Sequence, residues 1–183
     1  MNKRNYSCLA FSVQRQICKN VAAVLIFFNN YDIFASGGPG NIPGLHIAIM
    51  EIIRLDGIDK KLYELVAPLA MNPAVLRQNN NYPFKTSFKY VWYIALEGTE
   101  VIGFMPLKPS SGGKCIDNYY IQDDSGNTID KLLEHVIDDH GDSGLLSALV
   151  HRRHVQDFHR NGFRTFIEWT KYEKMDYIFA GRR

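Results

Sequence analysis

The last third of this 183-residue chain constrains its fold more than any other part, because β-rich and helical patterns alternate there in a fixed order. The run Cys115 to Ile121 reads as a strand and leads into the polar turn Gln122-Asp123-Asp124-Ser125-Gly126-Asn127. From Thr128 onward, Ile129, Leu132, Leu133, Val136 and Ile137 recur at spacings of three and four, the pattern of a helix with one face against a sheet. Leu145 to Val150 reads as a short buried strand. His151 to Asn161 reads as a helix stopped by Gly162 at a left-handed cap. Phe163 to Thr170 and Tyr172 to Phe179 follow as two further strands. The whole is a βαβα layout with a closing strand pair.

The middle of the chain extends the pattern. Val91 to Leu96 and Val101 to Leu107 are β-rich runs joined by the tight turn Glu97-Gly98-Thr99-Glu100, which predicts a hairpin. Upstream, Glu51 to Leu55 reads as a strand, and Asp56 or Asp59 can cap a helix whose buried face is Leu62, Leu65, Val66 and Leu69. Pro68 should kink or end that helix, and Asn72-Pro73 suits the start of another.

Taken in order from Met50, these elements resemble the GNAT superfamily of N-acetyltransferases over roughly residues 50–179. Ile52-Ile53-Arg54-Leu55-Asp56 is similar to the family's opening strand, and Tyr93 to Gly98 through Val101 to Phe104 to its second and third. Ile116 to Ile121 followed by Lys131-Leu132-Leu133-Glu134 resembles its fourth strand and cofactor helix. Phe158-His159-Arg160-Asn161-Gly162-Phe163 resembles its closing helix motif. The resemblance implies an α/β (α+β) GNAT-like acyl-CoA N-acyltransferase fold: a mixed, mostly antiparallel sheet flanked by helices and splayed between its fourth and fifth strands. It also implies acetyl-CoA as co-substrate and an amine, small-molecule or peptide, as acceptor. Tyr120 or Ile121 would offer a strand amide to the thioester carbonyl. Gln122, Ser125, Gly126, Asn127 and Thr128 would meet the pyrophosphate with amides and hydroxyls at a helix start.

Two departures from the family pattern stand beside these matches. The phosphate turn keeps only Gly126 of the usual glycines, and Asp123, Asp124 and Asp130 crowd it with charge that repels an anion. It reads either as a low-affinity CoA turn or as a loop that caps its helix. Where many family members carry a thiolate-protonating tyrosine, this chain has Phe158, which has no proton to give. His154 and His159, with His151, are substitutes by residue type, since histidine titrates nearest neutrality. The plainer reading makes them, with Arg152, Arg153 and Arg160, a solvated basic face. Asp117, an aspartate inside a strand bordering the cleft, is the candidate general base. Trp92-Tyr93 and Tyr119-Tyr120 either line an acceptor pocket or fill a sheet face. Residues Asn79 to Lys89, opening with three asparagines, are expected to shape that pocket.

Residues 1–49 stand outside the pattern and read as a poorly ordered or weakly packed leader, or an upstream extension before Met50; residues 50–183 form the GNAT-like domain. The apolar run Val21 to Phe28 is too short to cross a bilayer, which needs about twenty apolar residues. A net charge of +2 carries no nucleic-acid signature, so neither nucleic acid nor membrane is expected as a partner. Cys8, Cys18 and Cys115 show no metal spacing, so no metal is expected, and they fit a reducing cytoplasm. Two functions remain: an acetyltransferase, or a non-catalytic GNAT-like module that binds a ligand or protein.

Overall fold

A computed structural model describes residues 49–178; the expected leader lies outside this range except for Ile49, as does Phe179 at the end of the last expected strand. The strands are β1 Met50–Asp56, β2 Val91–Glu97, β3 Glu100–Ser110, β4 Gly113–Ile116, β5 Tyr120–Ile121, β6 Leu145–His151, β7 Phe163–Glu168 and β8 Tyr172–Tyr177. The helices are α1 Lys60–Ala70, α2 Pro73–Gln78, α3 Gly126–His140 and α4 Val155–Arg160. One mixed sheet runs β1-β2-β3-β4-β6-β8-β7, with β5 attached to β3 alone.

The predicted hairpin closes around Gly98, whose φ of 62° is the left-handed conformation that a two-residue connection requires. Val91 to Leu96 are all buried, so β2 has no solvent face. Alternation divides it between two cores. Tyr93 and Ala95 join Met105, Leu107, Ile129, Leu132, Leu133 and Val136 beneath α3. Trp92, Ile94 and Leu96 join Leu62, Val66 and Phe104 beneath α1. The four aliphatic side chains that α3 buries each contribute about 1.5–3 kcal/mol, which outweighs the helix's intrinsic propensity.

Local chemistry sets the element ends. Asp59 accepts from the Lys61 N–H at 2.9 Å and starts α1; Asn72 accepts from the Ala74 N–H at 2.8 Å and starts α2, with Pro73 in its first turn. Pro68 does not end α1 at once, since the helix runs on to Ala70 and only its last turn lacks a donor. Helix α3 begins at Gly126, two residues before the expected start, because the Ser125 hydroxyl caps the Thr128 N–H at 3.4 Å.

Two expectations are corrected. The strand expected from Cys115 to Ile121 is broken: Met105 and Pro106 of β3 face the three residues Asp117, Asn118 and Tyr119, so the chain bulges by one residue. Pro106 has no N–H for the ladder, its carbonyl accepts from the Asp117 N–H at 3.2 Å, and Asn118 takes up the bend at φ 50°. The helix expected from His151 is shorter, since His151 pairs with Tyr172 as the last residue of β6. A 3-10 turn, Arg152–His154, precedes α4. Gly162 has the predicted left-handed backbone, φ 89°.

Candidate functional site

Strands β4 and β6 run parallel for four residues, from Gly113 beside Leu145 to Ile116 beside Ala148. Beyond that point the bulge carries the chain onto β3, where Tyr120 faces Phe104 and Ile121 faces Gly103, while β6 continues along β8. The sheet therefore opens between β5 and the end of β6. Because β5 pairs on one edge only, the alternation of strand amides turns a peptide group of Tyr120 or Ile121 toward the opening.

Helix α3 starts directly behind this free edge. Among the described residues the Gly126 and Asn127 N–H groups have no protein acceptor, as expected of a first turn. Thr128 differs from its expected role: its N–H is taken by Ser125 and its side chain is buried. A β-carbon on Gly126 would lie 3.0 Å from a carboxylate oxygen of Asp157, so glycine is what lets α4 approach here.

The acidic crowding read from the sequence is largely neutralised. Asp124 accepts from Arg153 Nε at 2.8 Å and from His154 Nε2 at 2.9 Å. Burial pushes its carboxyl up, and these two partners outweigh that and hold it below the ordinary aspartate value. Asp130 accepts from Arg160 at 2.9 Å and from Asn161 at 2.7 Å, and Arg160 also bridges to Asp157 at 2.8 Å. Asp123 alone of the three has no ion pair among the described residues.

The histidines are not a solvated basic face. His151 and His154 are buried, whereas Arg152, Arg153 and Arg160 are substantially exposed. His154 Nδ1 lies 2.8 Å from the Tyr119 hydroxyl, which also accepts from the His151 N–H at 3.2 Å. A single neutral tautomer satisfies the whole chain: His154 Nε2–H donates to Asp124, Tyr119 O–H donates to His154 Nδ1, and His151 N–H donates to the Tyr119 oxygen. Burial, reinforced by the positive charge of Arg153, lowers His154 below the ordinary histidine value against the opposing pull of Asp124. Burial, again with Arg153, pushes His151 down to about 4. The Tyr119 hydroxyl is held protonated by burial. The Tyr119 ring packs on Phe158, with centroids 5.6 Å apart, so Phe158 forms a wall of this network. His159 sits elsewhere, its Nδ1 3.0 Å from the Phe163 carbonyl.

At the mouth of the opening lies a cavity of about 530 Å³. The bulge contributes Asp117 and Asn118, β6 contributes Leu149 and His151, and Trp169 and Tyr172 close the far side. The segment after α2 supplies Asn79, Tyr82 and Lys85, while Tyr90 and Lys108 come from either side of β2. Asp117 lies in the cavity as expected but is already ion-paired with Lys108 Nζ. Burial pushes the Lys108 ammonium down, and Asp117 outweighs this and raises it. Of the expected loop, Phe84 packs on Phe104 with centroids 5.0 Å apart and Phe88 is exposed, so neither shapes the cavity. Sequence reasoning missed Lys108 and Tyr172, while Asn79, Tyr82 and Lys85 come from the loop expected to shape the pocket. A lysine closing the apolar run of β3 was the one visible signal.

Among the described residues no three metal-ligating side chains cluster, and no helix is long and apolar enough to cross a membrane. No family model and no curated protein sequence matches the chain. Solved structures do. Escherichia coli ElaA shares 11% identity over 70% of this chain and 99% of its own, with a TM-score of 0.57. An acyl-CoA N-acyltransferase from Pseudomonas aeruginosa shares 13% identity over 71% of this chain and 100% of its own, also with a TM-score of 0.57. The described domain has the GNAT acyl-CoA N-acyltransferase fold. At these identities the likeness is one of fold. In GNAT terms β4 and β5 are one bulged fourth strand and β6 is the fifth, so the observed opening is the expected splay.

Proposed function

We propose that this protein is an acetyl-CoA-dependent N-acetyltransferase acting by direct attack of an amine. The observation that carries the proposal is the splay, which brings an unpaired strand edge, the free Gly126 and Asn127 amides and a cavity with titratable groups together. Acetyl-CoA supplies an activated acyl group. The pyrophosphate belongs at the turn from Gln122 to Asn127, and the thioester carbonyl beside Tyr120 or Ile121. The amine nitrogen forms the new C–N bond as the C–S bond breaks, its electron pair leaves on sulfur, and one nitrogen proton is released, giving an amide and the CoA thiol. In this reading Asp117 takes that proton through water, and His154, held between Tyr119 and Asp124, stands behind the leaving sulfur. His159, held by the Phe163 carbonyl, has no part in this scheme.

A cytoplasmic setting belongs to the proposal and rests on the unpatterned cysteines, with Cys115 a free buried thiol. The buried Phe158 favours a second reading, a GNAT-shaped module that binds without turnover. Calorimetric titration of acetyl-CoA into the full chain tests the first. Micromolar binding that is lost in Gly126→Asp supports the enzyme; no heat at millimolar ligand overturns it. Binding with no acetylation of any amine leaves the module.

A further inference from the structure

The cavity at the mouth of the splay has a composition that selects among amines. Its charged groups are Lys85, Lys108 and Asp117; with His151 neutral near pH 7, two positive charges meet one negative charge and leave a net single positive charge. Lys108 and Asp117 satisfy one another, so the uncompensated charge sits on Lys85, which makes no ion pair or side-chain hydrogen bond among the described residues. The walls are flat: Tyr82, Tyr90, Trp169 and Tyr172. Asn79 also lines the cavity and is 2% exposed; its Nδ2 donates to the Tyr82 carbonyl at 2.8 Å, yet its buried Oδ1 has no partner among the described residues. Such an acceptor, left alone, carries a desolvation penalty.

We infer that this cavity takes a free amino acid with an aromatic or large apolar side chain, its carboxylate toward Lys85 and its body between the tyrosines and Trp169. Polyamines and aminoglycoside-like amines are disfavoured, because among the described residues a multiply cationic ligand meets no unpaired carboxylate here and one free lysine. The volume matches a small molecule. The loop that carries Asn79 and Lys85 is built for a fixed position. Asn80 and Asn81 adopt left-handed backbone, Asn80 Nδ2 donates to the Tyr172 hydroxyl at 2.6 Å, and Thr86 bridges the Gly57 carbonyl and the Trp92 indole at 2.7 and 3.0 Å.

The inference rests on the proposed acetyltransfer only for the fate of the amine; the binding claim stands by itself. The test is ligand-observed NMR and calorimetry on the full chain with L-phenylalanine, phenethylamine and spermidine, with and without acetyl-CoA. L-Phenylalanine should bind at least tenfold more tightly than phenethylamine, which keeps the ring and loses the carboxylate, and spermidine should not compete. Lys85→Met, on an exposed side chain, should reduce L-phenylalanine affinity about tenfold while leaving acetyl-CoA affinity unchanged. Equal or tighter binding of phenethylamine or spermidine, or an unchanged Lys85→Met variant, overturns the inference. Lysine-dependent L-phenylalanine binding with no acetyl-CoA heat keeps the inference and removes the transferase.

Discussion

Replacing Tyr119 by phenylalanine removes one oxygen atom and strands two buried groups. The His151 N–H loses its acceptor at 3.2 Å, and His154 Nδ1 loses its donor at 2.8 Å. Tyr119, His151 and His154 are 3%, 4% and 1% exposed, so water cannot readily replace the hydroxyl. An unsatisfied buried polar group costs about 1–3 kcal/mol, so the pair amounts to about 2–6 kcal/mol, and partial relaxation should bring the loss to about 3 kcal/mol. That is a large share of the 5–15 kcal/mol typical of a whole domain. Tyr172→Phe serves as the comparison, since among the described residues that hydroxyl accepts only from Asn80 in a half-buried setting, and should lose about 1 kcal/mol. Urea unfolding of the full chain, followed by tryptophan fluorescence with unchanged m, measures both. A Tyr119→Phe loss below about 1 kcal/mol, or one no larger than that of Tyr172→Phe, refutes the network as a structural unit.

Other perturbations follow from features already described. Gly57→Ala should destabilise by about 3 kcal/mol by urea midpoint, because its β-carbon would lie 2.1 Å from the Ser87 carbonyl oxygen and force the cavity loop away. His151 titrates near 4 when folded and at its ordinary value, about 6.5, when unfolded, so the unfolded chain binds the extra proton between these values. Stability should be fully present above pH 6.5 and fall by about 3 kcal/mol as pH drops through that window, with a flatter profile in His151→Asn. Asp117→Asn removes the largest influences that raise Lys108 and leaves burial opposed only by the smaller effects of Cys115 and Tyr90. The Lys108 ammonium should then titrate lower in a heteronuclear NMR titration, and no movement would show that the pair is not coupled.

The layout from Met50 was legible because the β2–β3 hairpin, the α3 face and the Gly162 stop are each set by local period or backbone freedom. The break at Asp117 to Tyr119 was not, since the reason for it is Pro106 on the neighbouring strand, more than ten positions back. The aspartates at the phosphate turn looked exposed to one another for a similar reason: their partners Arg153 and Arg160 lie about thirty residues downstream, across a helix packing that no window of sequence contains. His151 and His154 show the same limit in reverse. A run of His, Arg, Arg and His has no apolar period, yet its first and last members turn inward onto Tyr119 while the arginines between them turn out. At the cavity, Asp117 was visible as an odd residue in a strand. The loop from Asn79 to Lys89 was visible too, but which of its residues face the cavity was not, since its course is fixed by Gly57 and Trp92.

The four-residue register between Gly113–Ile116 and Leu145–Ala148 is the whole strand-to-strand seam between β1–β5 and β6–β8. A β-carbon on Gly113 would lie 1.9 Å from the Leu145 carbonyl oxygen, so the seam is also too tight to accept a side chain at its first rung. Each half is otherwise laced by antiparallel ladders of its own. In hydrogen exchange the molecule should therefore behave as two rafts with one short zip. Amides at the seam should open together and sooner than those of β2 and β3, at a free energy below that of global unfolding. Any molecule wedged across the splay and touching both rafts would slow that exchange far from its own contacts, so protection at Gly113 to Ile116 reports ligand binding without a label in the site.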